Sequence, residues 1–315
     1  MTVMGMTTTN ATMKIQPFYG EQVRQDPVVA EGKLGNQITY KLTKSGTLTI
    51  SGSGSITGRQ DEDSDEISDS LFLNSTVYRI NVEKGITEIG AGAFKKVSGV
   101  TEVSLPDGLD TISSEAFDGC SMLKSVNIPD SVMTIGPAAF ADCNSLTSVQ
   151  LPSQLSDLSY SMFANDTSLT NVNLPDTINT IGDNAFYNCR SLKTLHIPTS
   201  LTTIGESAFE YCTSLNNVTL PESMQLIKSF AFHNCESLAT INIPKNAIVI
   251  DRAFYGCLSL TSLTFDGDYN EYDQLLIQDL IDTLKSNKKK LTIYYPALAK
   301  EWDPYGQYVD FFNYG

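Results

Sequence analysis

Phenylalanine returns along this chain at a fixed interval, and this repeat constrains the fold more than any other feature. It recurs within Ile89 to Leu263, with Ala directly before it in nearly every unit. A Leu column and a Pro column keep the same register. A period of about 20 to 50 residues indicates a solenoid or a propeller. The spacing is 23 residues, with a last step of 22, through Phe94, Phe117, Phe140, Phe163, Phe186, Phe209, Phe232 and Phe254.

The stretch from Cys189 to Phe209 shows what one repeat predicts locally. Leu195 and Ile197 alternate with polar neighbours, the two-residue period of a short strand with one buried face. Pro198 then removes a backbone donor and ends the strand. The next apolar residues lie at spacings that no strand gives, and Gly205 suits a tight bend before a short helical or 3₁₀ turn that carries Phe209.

A unit of this length cannot bury its own apolar face, so neighbouring units must stack and share one core. Stacking places equivalent residues about 4.8 Å apart, the spacing of adjacent strands. The sequence therefore predicts a parallel sheet along one side of an elongated stack, with a continuous spine of Phe rings inside it.

The two motifs of the repeat are L-x-x-V-x-[LI]-P and I-G-x-x-A-F-x-x-C, as in LKTLHIP and IGESAFEYC. They resemble the BspA-like, or Treponema-type, leucine-rich repeats. With the repeat pattern, the resemblance implies an α/β solenoid: a right-handed coil of about eight 23-residue repeats with a parallel sheet on one face. It also implies a secreted or surface-exposed protein, since several family members are regarded as adhesins for host matrix proteins or other cells.

Four segments are expected. Residues 1–34 are a weakly structured leader, and residues 35–82 are an N-terminal cap with a β-hairpin at 37–51 and an acidic loop. Residues 83–267 are the repeat array. Residues 268–315 are an α/β C-terminal cap in which a helical stripe of apolar residues precedes the strand LTIYYP. The aromatic residues of the tail either seal the last repeat or form a patch for a partner; they are Trp302, Tyr305, Tyr308, Phe311 and Phe312.

The chain is acidic and lacks long apolar runs. A net charge of −15 disfavours a nucleic-acid or anionic-membrane partner, both of which need a basic surface. No run approaches the roughly 20 apolar residues that cross a bilayer, so we expect no membrane insertion. The first residues have no secretory signal pattern, and either the protein is intracellular or a signal precedes the given chain. The resemblance favours the second interpretation, and we expect a monomer.

Six cysteines share one column of the repeat, where Val97 and Asp166 take the place of the others. Parallel side chains in such a column point the same way, so we predict buried free thiols. Disulfides between neighbours and a metal site are the alternatives. The column comprises Cys120, Cys143, Cys189, Cys212, Cys235 and Cys257.

Little in the sequence indicates catalysis. The only histidines are His196, in a predicted strand, and His233, beside a Phe two units later, so they should lie on different faces. No nucleophile, metal or phosphate motif occurs. The acidic run Asp61 to Asp69 has the start of a calcium-loop spacing but lacks its Gly and final Glu, which favours a solvated loop. We predict no catalytic residue, cofactor or metal.

Polar side chains project between the buried residues of successive strands. They can form a hydrogen-bonding face for a host matrix or cell-surface protein or a glycan, or simply a solvated sheet. The first case makes the chain an adhesin-like binding protein, the second a structural spacer; a carbohydrate-active enzyme is a third hypothesis. The candidate residues are Ser125, Asn127, Ser148, Gln150, Asn171, Asn173, Thr194, His196, Asn217, Thr219, Thr240 and Asn242.

Overall fold

The protein forms a stack of short coils, and the computed structural model describes residues 26–34, 37–57, 72–73, 75–267, 276 and 291–294. The N-terminal strands are β1 (Val28–Lys33), β2 (Ile38–Thr43), β3 (Thr47–Gly52) and β4 (Gly54–Ile56). The first strands of the repeats are β5 (Arg79–Val82), β7 (Glu102–Ser104), β9 (Ser125–Asn127), β11 (Ser148–Gln150), β13 (Asn171–Asn173), β17 (Thr240–Ile243) and β19 (Ser262–Phe265), followed by β20 (Thr292–Tyr294). The second strands are β6 (Ile86–Ile89), β8 (Thr111–Ile112), β10 (Thr134–Ile135), β12 (Asp157–Leu158), β14 (Thr180–Ile181), β15 (Thr203–Ile204), β16 (Leu226–Ile227) and β18 (Ile248–Val249).

Each row of strands forms its own parallel ladder. The first strands make the front sheet, in the order β1-β2-β3-β5-β7-β9-β11-β13, with a separate part β17-β19-β20. Pairing is antiparallel between β1, β2 and β3 and parallel from β3 onward. The second strands, together with β4 of the N-terminal cap, make two narrower ladders, β10-β8-β6-β4 and β12-β14-β15-β16-β18. The predicted solenoid and its front sheet are thus confirmed, and a second ladder lies on another side of each coil.

The N-terminal cap is the hairpin that its alternating pattern predicts, with one strand added. Strands β2 and β3 pair around the turn at Lys44 and Ser45. Val28–Lys33, which the sequence assigns to the weakly structured leader, instead forms β1 on the outer edge of that hairpin. Strand β3 then pairs in parallel with β5, so the cap continues the front sheet of the array.

The segment that carries each Phe is a series of turns rather than the short helical or 3₁₀ turn expected from sequence. In the fourth repeat, Ser161 and Asn165 have φ values of 52° and 65°, so left-handed residues flank Phe163. Alternate amides consequently point to the next repeat: Phe163 N donates to Ala185 O at 2.9 Å, and Asn165 N to Tyr187 O at 2.7 Å. A helix needs consecutive right-handed residues, and this alternation excludes one.

The predicted Phe spine fills the core. Every Phe of the column is fully buried. Neighbouring rings stack with centroids 5.1 to 6.0 Å apart from Phe94 to Phe254, at interplanar angles of 4° to 23°. Phe72 extends the stack at 6.2 Å from Phe94, and Tyr40 closes it edge-on at 5.3 Å from Phe72. The cap thereby covers the aromatic end of the array.

The six cysteines are buried and unpaired, as predicted. Each thiol donates a hydrogen bond to the carbonyl of the Phe one repeat earlier, for example Cys189 Sγ to Phe163 O at 3.1 Å. Burial raises the thiol pKa throughout the column, for Cys257 to about 12. A thiol in such a site is neither acidic nor accessible enough to react.

We therefore expect the native protein to resist thiol titration. A colorimetric thiol reagent should report almost no reactive cysteine in native buffer, because each Sγ is buried and protonated. After denaturation without reductant it should report all six. Fewer than about five free thiols in the denatured protein would contradict the buried-thiol column and favour disulfides.

Asp166 interrupts that column with a fully buried carboxyl group. Its Oδ1 accepts a hydrogen bond from Cys143 N at 2.8 Å. Its Oδ2 has no hydrogen-bond partner among the described residues. Burial raises the pKa of Asp166 well above its usual value, although the Cys143 amide opposes the shift. An acidic side chain has thus replaced a thiol at a site that disfavours its charged form.

Three predicted features lie outside the described residues. They are the acidic loop Asp61 to Asp69, the helical stripe of the C-terminal cap apart from Leu276, and the aromatic tail from Trp302. The final strand of that cap is described, since β20 pairs in parallel with β19. Among the described residues, no helix is long and apolar enough to span a bilayer.

Candidate ligand-binding face

The front sheet sorts its side chains into buried and outward-facing rows. Val126, Val149 and Val172 are paired across β9, β11 and β13 and point inward. Because pairing is in register, the residues on either side of each Val line up from one repeat to the next. The first outward row contains Ser125, Ser148, Asn171, Thr194, Asn217 and Thr240, and the second contains Asn127, Gln150, Asn173, His196, Thr219 and Asn242.

These two rows are together called the polar face. Their side chains are mostly exposed, and most make no hydrogen bond within the described residues. All are exposed except Asn242, which is half-buried. Within the described residues, only Gln150 and Asn242 use their side chains in a hydrogen bond, to Leu151 O and to an oxygen of Asp266 respectively. The face carries no formal charge except where His196 is protonated. Its amides and hydroxyls are therefore available to a ligand as neutral donors and acceptors.

Two adjoining hollows indent the polar face. The smaller, about 260 Å³, lies over β9, β11 and β13. The larger, about 720 Å³, lies over the fourth, fifth and sixth repeats. Asn171 and Asn173 line both and so occupy the middle of the indented surface. The larger hollow is lined also by Thr194, Leu195, His196, Ile197, Thr199, Asn217, Thr219, Leu220 and Pro221.

The larger hollow coincides with an interruption of the front sheet. In the front sheet, continuous pairing ends at β13. Beyond it, within the described residues, single bridges pair Asn173 with His196 and Thr194 with Asn217. Continuous pairing resumes between β17 and β19. Leu195 and Leu220 also border the hollow, but both are buried in the core, so a ligand there would meet mainly the polar side chains of the rim.

The two histidines lie apart, as predicted. His196 is exposed on the polar face. His233 lies in a turn segment, with Nδ1 at 2.8 Å from Glu210 Oε1 and both side chains largely buried. Within the described part of the chain, no group of three or more His, Cys, Asp and Glu side chains is placed to hold a metal ion.

A second feature of the surface is not evident from the repeat motifs. In the later repeats, Tyr187, Tyr211, Phe230, His233 and Tyr255 lie together on the turn segments. They come from three different positions of the 23-residue unit. The sequence does show additional aromatic residues at these positions from Phe186 onward. It does not show that they contact one another, because that depends on which side chains face each other across stacked turns.

A stack of 23-residue coils with a parallel front sheet and an outward polar face defines a leucine-rich-repeat solenoid. The BspA type leucine rich repeat region matches residues 65–193 and 179–286 in six copies. The chain belongs to this family.

Solved structures show the same fold. A leucine-rich repeat protein from Bacteroides ovatus ATCC 8483 is 26% identical with a TM-score of 0.54, covering 74% of this chain and 70% of that one. A leucine-rich repeat protein from Eubacterium ventriosum ATCC 27560 is 21% identical with a TM-score of 0.53, covering 76% of this chain and 72% of that one. No curated protein matches the sequence.

Proposed function

We propose that this chain is a non-catalytic binding protein of the cell surface or the secreted fraction, and that it holds its ligand on the polar face. The hollow of about 720 Å³, where the front sheet is interrupted beside Asn171 and Asn173, carries this proposal. Family membership supports the extracellular setting and the adhesin-like role. The ligand is a protein or glycan of a host matrix or another cell.

The chemistry of the polar face favours a neutral, hydrogen-bonding ligand surface. The face offers amides and hydroxyls but almost no formal charge, so it would not compensate a charge that loses its water on binding. It also lacks the Trp, Tyr and Arg residues that anchor tight interfaces. We therefore expect weak single contacts that are strengthened when several repeats, or several copies of the protein, engage together.

Placing charge in the centre of the polar face should weaken ligand binding. Because Asn171 and Asn173 line both hollows, Asn171→Glu with Asn173→Glu would bury carboxylates against any ligand seated there. We expect at least about tenfold weaker binding, the loss that one uncompensated polar group typically causes. The measurement is binding to a glycan array and to a panel of purified extracellular-matrix proteins.

The matched control adds the same charge elsewhere. Met133→Glu with Thr134→Glu places two carboxylates at exposed positions at the start of β10, in the second-strand ladder and away from the polar face. This variant should bind as the native protein does. Equal binding by the Asn171 and Asn173 variant would place the ligand on another surface. Absence of binding to either panel by the native protein would favour the spacer interpretation.

A further inference from the structure

The turn segments of the last four repeats carry a connected set of rings, here called the turn cluster: Tyr187, Tyr211, Phe230, His233 and Tyr255. Ring centroids are 5.8 Å apart for Tyr187 and Tyr211 and 5.9 Å for Tyr211 and His233. His233 also lies 5.4 Å from Phe230 and 5.5 Å from Tyr255. The hydrogen bond of His233 to Glu210 fixes the central ring in place.

The fold itself does not require these rings. One repeat earlier, the positions of Tyr187, Tyr211 and Phe230 are held by small or polar residues, namely Ala164, Asn188 and Ser207. Those repeats form the same turns with the same positive φ values, 60° at Asn188 and 52° at Ser207. Small residues at these positions permit the same turns. The large rings therefore indicate a role other than folding.

The turn cluster is accessible. Tyr255 is 41% exposed and Tyr187, Tyr211 and Phe230 are partly exposed, whereas His233 is largely buried at their centre. Within the described residues, the hydroxyl groups of the three tyrosines have no hydrogen-bond partner. Tyr and Arg are the residues most enriched at the energetic centres of protein interfaces, and they are absent from the polar face.

The surroundings of the cluster favour a cationic partner. The chain places one guanidinium there already, since Arg252 lies 5.9 Å from the centre of the Phe230 ring. Ring faces attract cations through their quadrupole, and the Glu210 carboxylate lies within the cluster, bonded to His233. A net charge of −15 would also steer a basic partner toward this protein. We propose that the turn cluster is a second interaction surface that binds a protein segment presenting arginine or lysine side chains.

The geometry argues against a glycan at this surface. Sugar rings stack on flat, exposed aromatic faces, whereas the rings of the cluster meet at angles of 48° to 88°. Rings that meet at such angles present edges as well as faces, so they offer no flat platform for a sugar ring. The surface and the proposed partner are also separate from those of the polar face, so each proposal can fail without the other.

The test uses substitutions taken from the neighbouring repeat. Tyr187→Ala, Tyr211→Asn and Phe230→Ser introduce the residues of the preceding repeat at equivalent positions, so the variant should fold normally. The probe is a heptapeptide of alternating arginine and glycine, measured by isothermal titration calorimetry at low salt. We expect the triple variant to bind it about tenfold more weakly than the native protein, the combined effect of losing three ring contacts.

Two controls separate ring contacts from simple charge attraction. A peptide with citrulline in place of arginine keeps the shape but not the charge, and it should bind the native protein poorly. The three substitutions leave the net charge unchanged, so attraction by the acidic protein as a whole would survive in the triple variant. Undiminished binding by that variant, or equal binding of the citrulline peptide, would overturn the proposal. Loss of glycan binding instead of peptide binding would identify the cluster as a carbohydrate site.

Discussion

Phe186→Ala is expected to lower the free energy of unfolding by about 3 to 5 kcal/mol, the cost of emptying a large buried aromatic site. The Phe186 ring is fully buried between those of Phe163 and Phe209, at centroid distances of 5.6 and 5.3 Å. Each coil shares its core with its neighbours, so a cavity at one repeat weakens two interfaces. Thermal unfolding followed by circular dichroism gives the measurement.

The control is an exposed aromatic residue one repeat earlier. Tyr160 is 56% exposed, so Tyr160→Ala should change the stability by less than about 0.5 kcal/mol. Phe163→Ala should lower the free energy of unfolding by as much as Phe186→Ala does. A shift in unfolding midpoint of only about a degree for Phe186→Ala would show that the stacked spine contributes little to stability.

Asp166→Cys is expected to stabilise the protein by about 1 to 3 kcal/mol, because it removes a buried carboxyl oxygen that has no partner. The replacement restores the residue found at this position in six repeats. A thiol there would be placed to donate to Phe140 O, as Cys189 Sγ donates to Phe163 O. Urea unfolding of the native protein and the variant at pH 7 tests this change.

The same substitution should alter how stability depends on pH. The folded state raises the pKa of Asp166, so folding favours its protonated form. The stabilisation that protonated Asp166 contributes is complete below about pH 3.9, the pKa of an Asp in the unfolded chain. It is lost as the pH rises through the pKa of Asp166 in the folded protein. The loss can reach about 1.4 kcal/mol per pH unit, and Asp166→Cys should remove it.

A second acid, Asp118, determines the pH dependence of stability that remains in the Asp166→Cys variant. Burial raises the pKa of Asp118 to about 6, against the opposing effect of Lys95, so a weaker decline should persist from about pH 4 to 6. Asp176→Asn, a change at an exposed acid, should leave the native pH profile intact. A profile for Asp166→Cys that falls as steeply as that of the native protein above pH 6 would contradict the assignment.

The sequence was sufficient for the repeat, the core and the front sheet because these follow from periodicity. The Phe and Cys columns had to be buried once equivalent residues were stacked, and the alternation around each Val placed the polar residues outside. The short helical or 3₁₀ turn expected around each Phe was wrong, because left-handed residues interrupt it. Apolar spacing alone does not reveal left-handed residues such as Ser161 and Asn165, which are not glycine.

The sequence by itself determined which residues are stacked, since a residue and its equivalent 23 positions later must be neighbours in any such coil. Only the tertiary structure decided how closely successive coils pair and where side chains of different columns meet. The interrupted sheet beside His196, the unpartnered oxygen of Asp166 and the ring contacts of Tyr211 all depend on such distances. A repeat period fixes the order of neighbours along the stack, whereas these features depend on local packing and on torsion angles that the period does not specify.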